Sequence, residues 1–158
     1  MKVSMICTGK TDAGYLMEGI NEYEKRIRHY CSFKLICLDE PRGLKKQPIF
    51  IQKEQEGRAV LQVLQKIDYP VLLDQRGRIY SSENFAGFIQ QAMNRGTKEL
   101  GFLIGGPWGF SDAVYDAVPD RISMSEMTFP HQLMRLLFIE QLYRAFTIIK
   151  GEAYHHPQ

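Results

Sequence analysis

The side chains that could do chemistry fall near the C-terminal end. Arg144 lies on a segment otherwise rich in aromatic and aliphatic residues, and Tyr154-His155-His156 follow close behind. A neutral imidazole can take a proton, a phenol can hydrogen-bond or stack, and a guanidinium can hold charge developing on an oxygen. Each also has a plainer reading. Arg144 can snorkel or pair with Glu140 one turn earlier, and histidines near a chain end are commonly solvated.

Two further stretches could surround a ligand. Leu100 to Ile104 is apolar and runs into Gly105-Gly106-Pro107-Trp108-Gly109. Backbone without a Cβ can approach a ligand closely, although the same residues also suit an ordinary strand-to-helix turn. Ile122 to Met124 runs into Ser125-Glu126-Met127-Thr128-Phe129-Pro130-His131, which is apolar where a connection is usually polar. Such a loop, if buried, must satisfy its backbone amides. An adenine edge is one way to do so, and packing on the core is the other. Neither loop carries the Gly-Lys-Ser/Thr of a phosphate-binding loop or the GxGxxG of a dinucleotide fold.

These loops need a scaffold, and the chain supplies one in regular alternation. Lys2 to Cys7, Phe33 to Leu38, Tyr69 to Asp74, Gly101 to Ile104 and Ile122 to Met124 read as strands. Between them lie helical spacings. Leu16, Ile20, Tyr23, Ile27 and Tyr30 mark the first, with Asp12 as its cap. Ile49 onward through Val60, Leu61, Leu64 and Ile67 marks the second. Ser81 or Ser82 caps a third that carries Phe85, Phe88, Ile89 and Met93. A short helix starts at Ser111-Asp112. A long one runs from Gln132 to Ile149, with Leu133, Leu136, Leu137, Glu140, Tyr143 and Arg144 along one face. Gln75 to Arg78 reads as a turn. Pro41 to Pro48, with Arg42, Lys45 and Lys46, reads as a mobile loop. The alternation predicts an α/β domain with a mostly parallel sheet.

Bulk properties narrow the class. With 158 residues, the chain suits one domain of the usual ~100–150 residues. A net charge of +2 permits a nucleic-acid partner without requiring one. The cations from Lys25 to Lys46 can track a phosphate backbone or be a solvated face. No apolar run approaches the ~20 residues of a membrane span, and no signal peptide is visible. Cys7, Cys31 and Cys37 have no CxxC spacing and read as small buried hydrophobes in a reducing compartment, with no metal site.

Taken in order, five pieces resemble the SPOUT superfamily, and within it the ribosomal RNA large subunit methyltransferase H family. They are the opening strand with Thr8-Gly9, Leu103 to Gly109, Ser123 to His131, Glu140 to Ala145, and Tyr154-His155. The resemblance covers almost the whole chain. It implies an α/β-knot fold with helices on both faces of the sheet, residues 1–158 as one domain, and a C-terminal trefoil knot. It also implies a cytoplasmic homodimer that binds S-adenosylmethionine and methylates N3 of a pseudouridine in a 23S ribosomal RNA hairpin loop.

Carried over by position, the resemblance gives cofactor contacts at Leu73, Gly105, Gly106, Met124, Ser125, Glu126, Met127, Thr128, Phe129 and Pro130. It places Arg144, Tyr154 and His155 on the substrate side, with the tail completing the partner subunit's site. Many relatives have Pro where Ala153 stands, and a basic residue where His156 stands. A SPOUT enzyme acting on another ribosomal or transfer RNA site, or a ribosome-binding module without turnover, also fits these residues.

Overall fold

The central strands are apolar on both sides, as a sheet covered on both faces requires. The computed structural model describes residues 1–40 and 42–154. The strands are β1 (Lys2–Thr8), β2 (Ser32–Leu38), β3 (Tyr69–Ile79), β4 (Glu99–Ile104) and β5 (Arg121–Ser123). The helices are α1 (Gly14–Ile27), α2 (Ile49–Leu64), α3 (Ser82–Asn94), α4 (Asp112–Ala117) and α5 (His131–Lys150). The sheet order is β2-β1-β4-β3-β5, and every pairing is parallel. Alternate residues divide the core. Val3, Met5, Phe102 and Val71 face α1, α3 and α5, whereas Ile6, Leu103 and Leu72 face α2 and α4.

Several sequence expectations need correction. Asp12 does not cap α1: Ala13 holds that position with no side-chain cap. Instead the Asp12 backbone N–H and carboxylate both bond Gln132 of α5. The segment 42–48 contains a 3-10 turn, Leu44–Lys46, that buries Leu44. Cys7 is buried and Cys31 half-buried, but Cys37 is exposed. Burial pushes the Cys7 thiol up to about 12, so it behaves as a hydrophobe. The long C-terminal helix buries Phe138, Ile139, Leu142, Ala145 and Phe146, nearly opposite the face expected. Both faces of α5 carry apolar residues, so periodicity cannot choose between them. The expected face is half-buried, with Leu136 seated against Gly19 of α1.

The turn expected at Gln75 to Arg78 lies inside β3. Ile122 of β5 is in register with both Leu73 and Arg78, five residues apart on β3. β3 therefore detours around β5 instead of running straight beside it. Gly77 sits at the crossing, where a Cβ would stand 2.5 Å from the Ile122 backbone nitrogen. After β5 the chain turns back, and α5 packs between α1 and α3 against the sheet.

Candidate functional site

Three neighbouring strands, β4, β3 and β5, end on the same side of the sheet because all are parallel. In open α/β sheets this carboxyl edge is where ligands bind. Here the three loops that leave it enclose a cavity of about 470 Å³, within the ~300–1,000 Å³ range of small-molecule sites. Leu73 and Asp74 come from β3, Gly105 and Gly106 from the loop after β4, and Met124, Ser125, Met127, Thr128 and Phe129 from the loop after β5. Glu126 and Pro130 belong to that third loop but do not line the space.

The glycine loop is shaped by its own packing. Gly106 and Gly109 form an isolated antiparallel bridge, and the Gly109 N–H donates to the Gly106 carbonyl at 3.1 Å. Gly109 has φ of +74°, the left-handed region that favours glycine. At Gly105 a Cβ would lie 3.2 Å from the Gly109 carbonyl carbon, and at Gly106 it would lie 2.7 Å from the Glu56 carboxylate. Packing within the protein therefore favours glycine at 105, where the neighbour is backbone, and more weakly at 106, where it is the movable end of a side chain.

The third loop was expected to be buried, yet Glu126, Met127, Thr128 and Pro130 are exposed. Its own serines make this possible. Ser123 Oγ donates to the Ser125 carbonyl and Ser125 Oγ accepts from the Met127 N–H, both at 2.9 Å. A loop satisfied locally can stand clear of the core as a wall.

Polar groups missed in the sequence stand around the cavity. Tyr115 Oη donates to Asp74 at 2.5 Å, and the Arg76 backbone N–H donates to the same carboxylate. Burial alone would raise Asp74, but these bonds and the Arg76 guanidinium hold it below the usual carboxylate range. The Tyr115 ring lies between the guanidiniums of Arg76 and Arg121, at 4.5 and 4.6 Å. His131 lines the cavity too, and burial with the neighbouring Arg135 charge keeps it below its ordinary value. Arg135 is 1% exposed. It donates to Thr11 Oγ1 and the Thr8 carbonyl, fastening the start of α5 to the loop after β1. No short motif announces these contacts; they join residues far apart in sequence.

Arg144 and Tyr154 form a separate cluster. The pairing with Glu140 foreseen for Arg144 is present, with Nη2 donating at 2.6 Å. Tyr154 Oη also donates to Glu140, at 3.1 Å, and lies 3.3 Å from Tyr23 Oη. The Arg144 guanidinium stands over the Tyr154 ring at 4.9 Å, and Tyr143 meets that ring edge-on. Burial, then the Tyr23 bond and the Glu140 charge, push the Tyr154 phenol upward, so it remains a donor. Arg144 and Tyr154 do not line the cavity. Met134 does, and ten further residues of α5 at 1.5 Å rise put Arg144 ~15 Å along the helix. His155 lies outside the described residues.

Among the described residues no three His, Cys, Asp or Glu side chains converge as a metal site would need, and no helix is long and apolar enough to cross a membrane.

A family model described as "Predicted SPOUT methyltransferase" matches residues 1–155. A protein of Parabacteroides distasonis named "Ribosomal RNA large subunit methyltransferase H" is 47% identical over 156 residues, covering 99% of each chain. Its namesake in Porphyromonas gingivalis is 48% identical with the same coverage. Among solved structures, a probable methyltransferase from Bordetella pertussis Tohama I superposes with a TM-score of 0.60 at 12% identity, covering 91% of this chain and 93% of that one. TrmJ from Z. mobilis ZM4 gives 0.55 at 11% identity, covering 100% of this chain and 72% of that one.

Proposed function

The chain belongs to the SPOUT methyltransferase family, and from that premise we propose that it methylates N3 of a pseudouridine in a 23S ribosomal RNA hairpin loop. It does so in the cytoplasm as a homodimer, with S-adenosylmethionine as methyl donor. The observation that carries the reading is the convergence of two separate sequence motifs, Leu103 to Gly109 and Ser123 to His131, with Leu73 and Asp74 of β3 on one cavity at the carboxyl edge of the sheet.

The cavity suits that donor in size and lining. Leu73, Ile104, Met124, Phe129 and Met134 give apolar wall for a base and an aliphatic chain. Asp74 and the serine-held third loop supply polar atoms at the rim. Leu73, Gly105, Gly106, Met124, Ser125, Met127, Thr128 and Phe129 would hold the donor, with Glu126 and Pro130 shaping the loop. When bound, S-adenosylmethionine supplies an electrophilic methyl group.

The protein's share of the reaction is then positioning and proton removal. The imide proton at N3 must leave, and His155, next to Tyr154 in sequence, would take it in its neutral form. Arg144, already oriented by Glu140, would meet charge that develops on the carbonyl oxygens beside N3. Tyr154 would donate to or stack on the base.

A separation within the chain supports the homodimer. Arg144 lies ~15 Å along α5 from Met134, which lines the cavity, and neither Arg144 nor Tyr154 lines that cavity in its own subunit. A second copy that laid its cluster over the cavity would close that gap. The trefoil knot is part of the same proposal.

The test is transfer of labelled methyl from S-adenosylmethionine to ribosomes that lack the modification, with the nucleoside mapped by mass spectrometry. N3-methylpseudouridine in a 23S hairpin loop is expected. A methyl at another ribosomal or transfer RNA site would replace the substrate, and no transfer to any RNA would leave a ribosome-binding module.

A further inference from the structure

Behind the glycine loop lies a second space, of about 240 Å³, between that loop and α2. It shares Pro107 and Trp108 with the larger cavity, so the two stand back to back across those residues. Glu56 of α2 lines it and is only 8% exposed. No described residue hydrogen-bonds or ion-pairs with its carboxylate. A carboxyl group so placed is costly, and groups of this kind are ordinarily satisfied by a partner.

The neighbouring side chains are already committed. Gln52 Nε2 donates to the Gln47 carbonyl at 2.7 Å, and its Oε1 accepts from Trp108 Nε1 at 3.3 Å. That bond fixes the indole while leaving it 48% exposed. Lys45 pairs with Glu40 at the rim, 3.3 Å apart, and Lys53 lines the adjoining cavity. The space therefore offers an aromatic face, the buried Glu56 carboxyl with free acceptor atoms, and the Glu40–Lys45 ion pair at its edge.

We infer that this space receives a second, non-target base of the RNA loop, one that presents two adjacent hydrogen-bond donors, as guanine does at N1 and N2. The inference rests on the reading of the substrate as RNA. Ionised, as Glu56 is above about pH 7, a carboxylate only accepts, so it fits a donor–donor edge and is opposed by the carbonyls that flank N3 of a uracil. Adenine and cytosine pair one donor with an acceptor on that edge. Stacking on an exposed aromatic is general to bases, so Trp108 would supply affinity and Glu56 the choice. Lys53, which lines the adjoining cavity, is the cation available to an adjoining phosphate.

Trp108 is the sole tryptophan of the chain, so its fluorescence reports on this space. The test titrates the full chain at pH 8, where Glu56 is ionised, saturated with S-adenosylmethionine to fill the larger cavity, with the monophosphates of guanosine, adenosine, cytidine and uridine. Guanosine monophosphate should quench saturably, with the others at least ~10-fold weaker. Glu56→Gln should level the four and raise KM for unmodified ribosomes, with kcat and cofactor affinity unchanged. Thermal melts of both proteins check that the variant is folded.

Equal quenching by all four nucleotides, or a guanosine preference that survives Glu56→Gln, would overturn the base pocket. Guanosine selectivity lost in Glu56→Gln while ribosome KM stays put would mark a free-nucleotide site and overturn the RNA assignment. Failure of the unaltered protein to methylate any ribosome strikes the substrate reading itself. Loss of the pocket with methylation intact strikes this inference alone.

Discussion

The cavity and the Arg144–Tyr154 cluster are built in opposite ways. The cavity is made of strand ends, glycine backbone and a serine-held loop, with apolar walls and polar atoms at the rim. The cluster is an interlock of side chains: Glu140 accepts from Arg144 and Tyr154, Tyr23 touches Tyr154, and Tyr143 packs against both tyrosines. The first arrangement recognises shape; the second places charge and donors. On the proposed reading the first binds the cofactor and the second serves the reaction, and two regions of such different construction should fail separately when altered.

Removal of residues 152–158 should make the largest difference. It deletes Tyr154 and His155, so methyl transfer should vanish while calorimetry still finds cofactor binding near its original strength. Lost cofactor affinity would erase the division between the two regions. Next is Gly77→Ala, where the new methyl meets Ile122 backbone instead of a movable side chain. A cost of ~3 kcal/mol or more in denaturant unfolding is expected. Gly106→Ala, whose neighbour is the end of the Glu56 side chain, should cost less than ~1 kcal/mol. Arg144→Ala should slow transfer by ~100-fold or more with cofactor affinity retained, measured under single turnover.

A smaller effect concerns Glu56, whose carboxyl is pushed up to about 7 by burial and then by Glu40. Its folded value lies above its unfolded one, so the folded state binds more protons between roughly pH 4.5 and 7. Stability therefore falls as pH rises through that window. Glu56→Gln should remove the fall, melting with the original protein at pH 4 but gaining ~1–2 kcal/mol at pH 8. Replacing Arg42, Lys45 and Lys46 with Gln should do least. It should only flatten the salt dependence of ribosome binding, and an unchanged slope would remove that loop from the RNA contact.

The same contrast explains what the sequence disclosed. Two of the cavity walls were legible because each is an apolar strand running into a short loop of unusual composition, a local pattern; the third, at Leu73, came only through the family resemblance. Arg144 and Glu140 were legible as a pair because they are four apart on a helix. Asp74 with Tyr115, and Arg135 with Thr8 and Thr11, join distant residues and leave no trace at any fixed spacing. Gln75-Arg76-Gly77-Arg78 looks like a turn, and its passage around β5 is a tertiary fact that overrides local propensity. The buried face of α5 was hidden for a different reason: with apolar residues on both sides, the helix carries two candidate stripes and the packing of α1 and α3 selects one.

The most direct test asks whether the cavity of one subunit works with the cluster of the other. Thr128→Trp, placed at the exposed cavity rim, should block cofactor binding; Arg144→Ala should spare binding and stop transfer. Each variant alone should be inactive. When the two are mixed, unfolded and refolded together, random pairing gives mixed dimers in which one of two shared sites is intact, and activity should return to about a quarter of the original. A mixture as inactive as its parts would show that cavity and cluster act within a single chain, and would contradict the account.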